Sequence, residues 1–239
     1  MSMTNCRGLD ILGSKTNVTV VVPAYNEQDR VYHFMIEVEK LLKKYKNVVV
    51  IVADDGSKDD TVGKIERENF PSLSVLHCGH SGKWGAMRAG FAAAKSDYVL
   101  FLDFDFSVSY DVLDDLAGYK GDVVVGNRYV HPETKVPVTR RFLSWGFSSL
   151  TGLLSGLGLR DTQCPMKLVR KTKFLNDVMT VMQETGFVGD VEFLMLAKKV
   201  GVVIDELPVK YIYQKGAFNV VGNTRKMFFG LLRVVKRCR

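Results

Sequence analysis

The sequence predicts an α/β fold: a Rossmann-like, mostly parallel central sheet with helices on both faces, in a single domain. Three observations carry this. Short apolar runs rich in β-inclined residues recur at Val18–Val22, Val48–Ala53 and Tyr98–Leu102, and such runs suit strands buried on both faces. Helical patterns alternate with strand patterns from residue 18 to 126, as crossovers between parallel strands require. Two runs end abruptly in acid, at Asp54-Asp55 and at Asp103-Phe-Asp105, and ligands of open α/β sheets bind at the carboxyl ends of the strands.

The elements follow in order. Val18–Val22 is a strand, and Pro23-Ala-Tyr-Asn-Glu27 is the loop after it. A helix runs from about Asp29 to Tyr45, with Val31, Phe34, Met35, Val38, Leu41 and Leu42 on one face. The strand Val48–Ala53 leads into an acidic turn, where Ser57 or Asp59 can cap a helix over roughly residues 60–69. Leu73–His77 is a short strand. Gly79-His-Ser-Gly-Lys83-Trp-Gly85 reads as a glycine-bearing loop before an Ala-rich helix, Ala86–Lys95. The strand Tyr98–Leu102, a helix near Tyr110–Tyr119 and the strand Asp122–Gly126 complete the alternation. The Asp54, Gly79–Lys83 and Asp103 loops therefore gather on one sheet edge.

At 239 residues the chain suits one large domain, or one domain with an extension. The expected division is an N-terminal extension over 1–16, a domain over 17–219 and a basic tail over 220–239. Within the domain, about 17–130 forms one half and about 131–219 the other. Hydrophobic content of 46% and charged content of 25% are ordinary for a globular protein. The net charge of +7 suggests an anionic partner: a nucleotide, a phospholipid surface or nucleic acid. No aromatic–basic RNP-type motif supports the last, so no nucleic acid is expected. Cys6, Cys78, Cys164 and Cys238 show neither metal spacing nor a disulfide framework and read as free thiols. No signal peptide is read in Met1–Lys15. The longest uncharged stretch, Phe142–Leu159, is half Ser, Gly and Thr, and falls short of the roughly 20 apolar residues a bilayer span needs.

Two neighbouring carboxylates repel unless a cation lies between them, and hard divalent cations choose carboxylate oxygens. Asp103 and Asp105 thus read as a metal–diphosphate site or as an acidic turn. No G-x-G-x-x-G follows the strands, and no G-x-x-x-x-G-K-[ST] occurs, which removes the dinucleotide fingerprint and P-loop hydrolysis. Asp54, at a strand end, can accept hydrogen bonds from a nucleobase or ribose; otherwise it belongs to a capped turn. Lys83, between glycines at a helix start, suits a phosphate or is a solvated lysine. Arg128, after the strand ending at Gly126, could hold a phosphate bidentately or lie on the surface.

As an ordered set these residues are specific. Val20-Val-Val-Pro-Ala-Tyr-Asn-Glu27, Val52-Ala-Asp-Asp-Gly-Ser-Lys-Asp-Asp-Thr61, Gly82-Lys-Trp-Gly-Ala-Met-Arg-Ala-Gly90 and Leu102-Asp-Phe-Asp105 resemble the motifs of the inverting family-2 glycosyltransferases of GT-A fold. Asp161-Thr-Gln-Cys-Pro-Met-Lys-Leu-Val-Arg170, Gly189-Asp-Val-Glu-Phe-Leu194 and Val203-Ile-Asp-Glu-Leu-Pro-Val209 look like the dolichyl-phosphate β-glucosyltransferases, with the polyprenyl-phosphate mannosyltransferases next. The resemblance covers roughly residues 17–216. It implies that Pro23, Tyr25, Glu27 and Asp54 cradle the nucleotide base and ribose. It further implies that Asp103 and Asp105 serve the metal-bound diphosphate, with Asp105 as the direct ligand of Mg²⁺ or Mn²⁺. Lys83 and Arg128 would lie near donor or phosphate groups, and Asp190 on the acceptor side. Trp84 stands where the family usually has glycine, Phe104 where a small residue is usual, and Lys215-Gly-Ala-Phe where Gly-Ser-Lys is usual.

The implied reaction moves glucose, or another hexose, from a UDP-sugar to a polyprenyl or dolichyl phosphate. A GDP-mannose donor is the alternative within the class. A nucleotidyltransferase with a similar acidic site and a non-catalytic nucleotide-sugar or nucleic-acid binder stand outside it. A lipid phosphate is largely ionised at neutral pH, its second pKa being about 6. Asp190 would then orient the acceptor or a sugar hydroxyl; toward an alcohol acceptor it would be the base. Read structurally, Asp190 caps a helix over Val191–Lys199. Arg140 and Arg141 precede a heptad-like stripe (Leu143, Phe147, Leu150, Leu154, Leu157), which reads as a helix packed on the domain or as a surface helix that meets lipid; in the second reading Arg140 and Arg141, with Lys215, would meet the acceptor phosphate. The tail from Arg225 to Arg239 carries six cations and no acid, which reads as an interfacial amphipathic helix. The expected location is peripheral, on the cytoplasmic face of a membrane.

Overall fold

The computed structural model describes residues 17–108, 110, 112–115, 121–134, 138–212 and 220–238. Seven strands form one sheet: β1 (Val18–Ala24), β2 (Val48–Asp54), β3 (Leu73–His77), β4 (Tyr98–Phe101), β5 (Val123–Asn127), β6 (Lys167–Arg170) and β7 (Ile204–Pro208). Their spatial order is β3-β2-β1-β4-β6-β5-β7. β1, β2, β3 and β4 run parallel, as do β5 and β7, while β6 is antiparallel to both β4 and β5. The helices are α1 (Val31–Lys44), α2 (Thr61–Arg67), α3 (Lys83–Ala93), α4 (Val112–Asp115), α5 (Val138–Ser155), α6 (Lys173–Val181), α7 (Gly189–Lys199) and α8 (Val220–Cys238).

The core lies where the apolar runs placed it. Residues of β1, β4 and β5 are buried along nearly their whole length, so both faces of the central sheet are covered. α1 supplies Val31, Phe34, Met35, Val38 and Leu41 to the core. α3 packs on β1 and β2, burying Trp84, Met87 and Phe91. Each such large apolar side chain contributes roughly 1.5–3 kcal/mol when fully removed from water.

One expected boundary is revised. α3 starts at Lys83, three residues before Ala86, because the Trp84 amide donates to the Thr185 carbonyl at 2.7 Å and the turn closes early. Of the expected helix near 110–119, Val112–Asp115 is helical, and residues 111 and 116–119 lie outside the described residues. The C-terminal helix packs on the domain by one face: Leu231, Val234, Val235 and Cys238 are buried, and α8 meets α7. Arg237 pairs with Glu192 at 2.5 Å and with Glu184 at 3.6 Å. Among the described residues Cys78, Cys164 and Cys238 are free thiols; Cys6 lies outside them. No described helix is long and apolar enough to cross a membrane.

Candidate active site

Because β1, β2 and β4 are parallel, their carboxyl ends share one edge. The loops after them bring Tyr25–Glu27, Asp54–Asp55 and Asp103–Asp105 together. The Asp55 amide donates to the Ala24 carbonyl and the Leu102 amide to that of Val21, so the loops leave the sheet in register. Pro23 is half-buried within β1.

The Asp54 carboxylate is buried and accepts the amides of Gly56 and Ser57 at 3.2 Å. Asp55 accepts the amides of Ser81 at 2.6 Å and Gly82 at 2.9 Å. That contact pins the loop after β3 to the end of β2, a role the sequence reading did not assign. Its only signal was a second acid directly after a strand. Gly82 has φ +87°, and a Cβ there would stand 2.7 Å from the Thr185 carbonyl oxygen. Only glycine suits that left-handed, crowded position. It delivers Lys83 as the first residue of α3. Tyr25 packs on His80 with ring centroids 4.7 Å apart, making a half-open aromatic rim beside the acids.

Lys83 Nζ lies 2.6 Å from Asp103 Oδ1. Burial opposes the Lys83 charge, yet Asp103, Asp190 and Asp105 outweigh it and raise its pKa. Burial, and then the neighbouring Asp103 charge, push the Asp105 carboxyl above its usual range, although Ser107 hydrogen-bonds it. The Ser107 amide donates to Asp105 Oδ1 at 2.9 Å. Glu27 is also raised, first by burial and further by Asp105 and Asp103, against the pull of Arg30, which it meets at 2.6 Å. Phe104, between the two aspartates, is turned into the core and stacks on Phe34 at 4.2 Å. A large residue is therefore accommodated beneath the acids without entering the space between them. The following Phe106 has φ 46°, which turns the chain sharply at this point.

The donor set suits a hard divalent cation. Two carboxylates one residue apart raise each other's cost of ionisation, and a cation between them removes it. Among the described residues no group of three or more His, Cys, Asp or Glu forms a closed site. Mg²⁺ and Mn²⁺ do not need one, since they keep coordination positions for water and phosphate oxygens.

The trailing half differs from the sequence reading. Asp190 is not an N-cap; α7 starts at Gly189, and Asp190 is only 4% exposed. Asp190 Oδ1 meets Lys167 Nζ at 2.5 Å. Lys167, fully buried at the start of β6, also donates to the Cys164 carbonyl at 2.6 Å. Arg128 is neither a surface arginine nor an open phosphate fork. Its Nε and Nη2 engage Asp161 at 2.7 and 2.8 Å, and its guanidinium lies over the Tyr211 ring at 5.2 Å. Asp161, 33 residues away, is wholly buried. Arg140 and Arg141 belong to α5, but their side chains lie outside the described residues, as does Lys215 altogether. Trp84 is fully buried. It packs on Phe193 at 5.4 Å and Phe101 at 5.9 Å. Gly189 leaves it room, since a Cβ there would lie 2.5 Å from the indole.

Comparison with known proteins agrees with this geometry. The chain is 29% identical over 222 residues to the dolichyl-phosphate beta-glucosyltransferase of Saccharomyces cerevisiae, covering 81% of this chain and 66% of that one. It is 29% identical over 226 residues to the Homo sapiens protein of the same description, covering 84% of this chain and 68% of that one. The chain thus spans about two thirds of the length of these curated relatives. Among solved structures, glucosyl-3-phosphoglycerate synthase from Mycobacterium tuberculosis, in complex with Mn²⁺, uridine diphosphate and glucosyl-3-phosphoglycerate, superposes with a TM-score of 0.69 at 16% identity. That match covers 98% of this chain and 87% of that one. Mannosyl-3-phosphoglycerate synthase from Rubrobacter xylanophilus gives 0.65 at 19% identity, over 93% and 73%. At these identities the likeness shows the fold, which is GT-A. The family model for glycosyl transferase family 2 matches residues 19–176, and the chain belongs to that family.

Proposed function

We propose that this protein is an inverting glycosyltransferase that moves glucose from a UDP-sugar to a polyprenyl phosphate of the dolichyl type. The observation that carries the reading is the Lys83–Asp103–Asp105 cluster at the carboxyl edge of the sheet, in a chain similar over most of its length to dolichyl-phosphate beta-glucosyltransferases. Tyr25, Glu27 and Asp54 border the nucleotide side, with Pro23 setting the loop, and Asp103 and Asp105 hold the diphosphate side.

A sugar–nucleotide bond breaks as negative charge develops on the diphosphate. Bound at Asp105 and Asp103, Mg²⁺ or Mn²⁺ supplies Lewis-acid neutralisation of that charge. Lys83, fixed at the start of α3, places a further cation beside it. An oxygen of the acceptor phosphate attacks the anomeric carbon from the opposite face, the bond to the nucleoside diphosphate breaks, and the configuration inverts. The acceptor needs cationic placement more than deprotonation. Asp190, already paired with Lys167, suits orientation of the acceptor or a sugar hydroxyl better than proton abstraction. Arg140, Arg141 and Lys215 are the proposed acceptor-phosphate cations. Arg128, held by Asp161, is a further proposed cation for donor or acceptor phosphate.

The surface of α8 supports attachment to an anionic membrane face. Phe228, Phe229 and Leu232 are exposed on a helix rich in Lys and Arg, the pattern of an interfacial helix. The proposed location is the cytoplasmic leaflet.

The test is a panel of radiolabelled UDP- and GDP-sugars with a short polyprenyl phosphate and Mn²⁺ or Mg²⁺. Label that becomes organic-extractable with UDP-glucose is the expected result. Label from GDP-mannose alone would move the donor to the alternative, and none from any donor would overturn the reading. Release of pyrophosphate in place of a nucleoside diphosphate would mark a nucleotidyltransferase.

A further inference from the structure

The start of α3 is not completed by its own residues. The first four amides of a helix have no partner within it. Gly82, just before Lys83, has no side chain to accept one, and no side-chain cap is made. The amide of Trp84, the residue after Lys83, goes instead to the Thr185 carbonyl at 2.7 Å. A second tie runs beside it, from the Arg88 guanidinium to the Met182 carbonyl. The helix start that carries Lys83 is therefore held from outside, by the connection 182–188 between α6 and α7.

Glu192 holds that connection in turn. It lies in the first turn of α7, and its side chain is 1% exposed. Its carboxylate accepts the amide of Gln183 at 3.1 Å and that of Glu184 at 2.7 Å. Arg237 of α8 meets the same carboxylate at 2.5 Å and reaches Gln183 Oε1 at 3.1 Å. Val188, the last residue of the connection, lies against Gly230 of α8, where a Cβ would come within 2.9 Å of it. As an ion pair alone, Glu192–Arg237 could be exchanged for apolar side chains of similar volume at little cost. The two amides could not be served that way, because each would be left unpaired in the interior.

We propose that Glu192 is a positioning residue for Lys83. By fixing the amides of Gln183 and Glu184 it sets the Thr185 carbonyl that caps α3, and the capped helix start presents Lys83 to Asp103, 2.6 Å away. This rests on the nucleotide-sugar reading for what Lys83 serves, but not for the link itself.

The test compares wild type, Glu192→Asp, Glu192→Gln and Val123→Ala. Asp keeps the charge for Arg237 but is one methylene short of both amides. Gln keeps the reach and an accepting oxygen but loses the charge. Val123, buried at the amino end of β5, supplies a destabilised control away from the connection. Three quantities are read: melting temperature, hydrogen exchange of the Trp84 amide by NMR, and affinity for UDP with Mn²⁺. At the same margin below melting, the Trp84 amide exchanges faster in Glu192→Asp than in Val123→Ala. UDP binds to Glu192→Asp about tenfold more weakly than to wild type, the size of one lost helix cap. Glu192→Gln stays closer to wild type on both counts. The reverse order, or a Glu192→Asp indistinguishable from Val123→Ala, would reduce Glu192 to an ion-pair tie and overturn the proposal. Wild-type exchange supplies a check that needs no variant to fold: the amides of Trp84, Gln183 and Glu184 open together as one local unit. Opening of Trp84 apart from the other two would equally overturn it. If wild-type protein binds no UDP, the functional reading fails, and the exchange rates still decide the link between Glu192 and α3.

Discussion

The ring of Phe104 stacks on that of Phe34 with centroids 4.2 Å apart and planes 10° from parallel. The contact joins the acidic loop after β4 to the buried face of α1. It anchors the residue between Asp103 and Asp105 in the core, where Phe104 is buried.

Removing that ring is therefore expected to reach both stability and the site. Phe104→Ala leaves a cavity against Phe34 and costs about 3 kcal/mol or more in urea unfolding. UDP affinity in the presence of Mn²⁺ falls with it. Phe104→Leu fills most of the space and recovers most of both. A stability loss with no change in affinity would mean the aspartates hold their direction without the ring.

Asp105→Asn abolishes sugar transfer and leaves the fold intact. The carboxyl is disfavoured by burial and by Asp103, so neutralising it removes a charge that the folded protein holds at a cost. Circular dichroism and a melting curve check the fold, and labelled lipid checks transfer. Full activity in the variant would take Asp105 out of the site.

Burial, and then Asp161, push the Cys164 thiol from 9.0 up to about 12. The fold thus favours the neutral thiol, whereas the unfolded chain ionises from about pH 9. Stability contributed by this group is present below pH 9, falls as pH rises through the window, and stops falling near 12. The slope is about 1.4 kcal/mol per pH unit at most. The difference between wild type and Cys164→Ala in urea unfolding at pH 8, 9.5 and 11 should show it. Thiol reagents at neutral pH should modify half-buried Cys78 well before Cys164.

Binding to anionic vesicles should fall when Phe229 and Leu232 are both replaced by Glu, with little change in melting temperature, because both are exposed. Deleting residues 225–239 is a harsher change. It strips Arg237 from Glu192, whose side chain is 1% exposed, and takes away the buried Leu231 and Val234, leaving the face of α7 they cover open to water. The deletion should lower stability by several kcal/mol, roughly what a lost apolar face and an unpaired buried carboxylate amount to. Unaltered vesicle binding by the double Glu variant would remove α8 as the membrane surface.

The gathering of acids at one sheet edge was legible because its signals are local. Apolar runs gave β1, β2 and β4, and acids directly after them lay on the shared edge that parallel strands produce. The start of α3 was misread, since Gly82-Lys-Trp-Gly looks like a loop. What makes it helical is the Thr185 carbonyl, about a hundred residues away. The partners of Arg128 and Asp190 were hidden for the same reason. Each carries a local pattern with a plausible role, and each is claimed by a partner far along the chain, Asp161 or Lys167. The reversed direction of β6 has no local signature either, because a short apolar strand reads the same in both directions.

That reversal gives the sheet two kinds of chain entry. The acids at its edge leave strands β1, β2 and β4, whereas Lys167 opens β6. The 39 positions between Asn127, the end of β5, and Lys167, the start of β6, are stitched to the sheet by the Arg128–Asp161 pair and by the buried Cys164 and Met166. A change of length in this crossover has to leave those anchors in place.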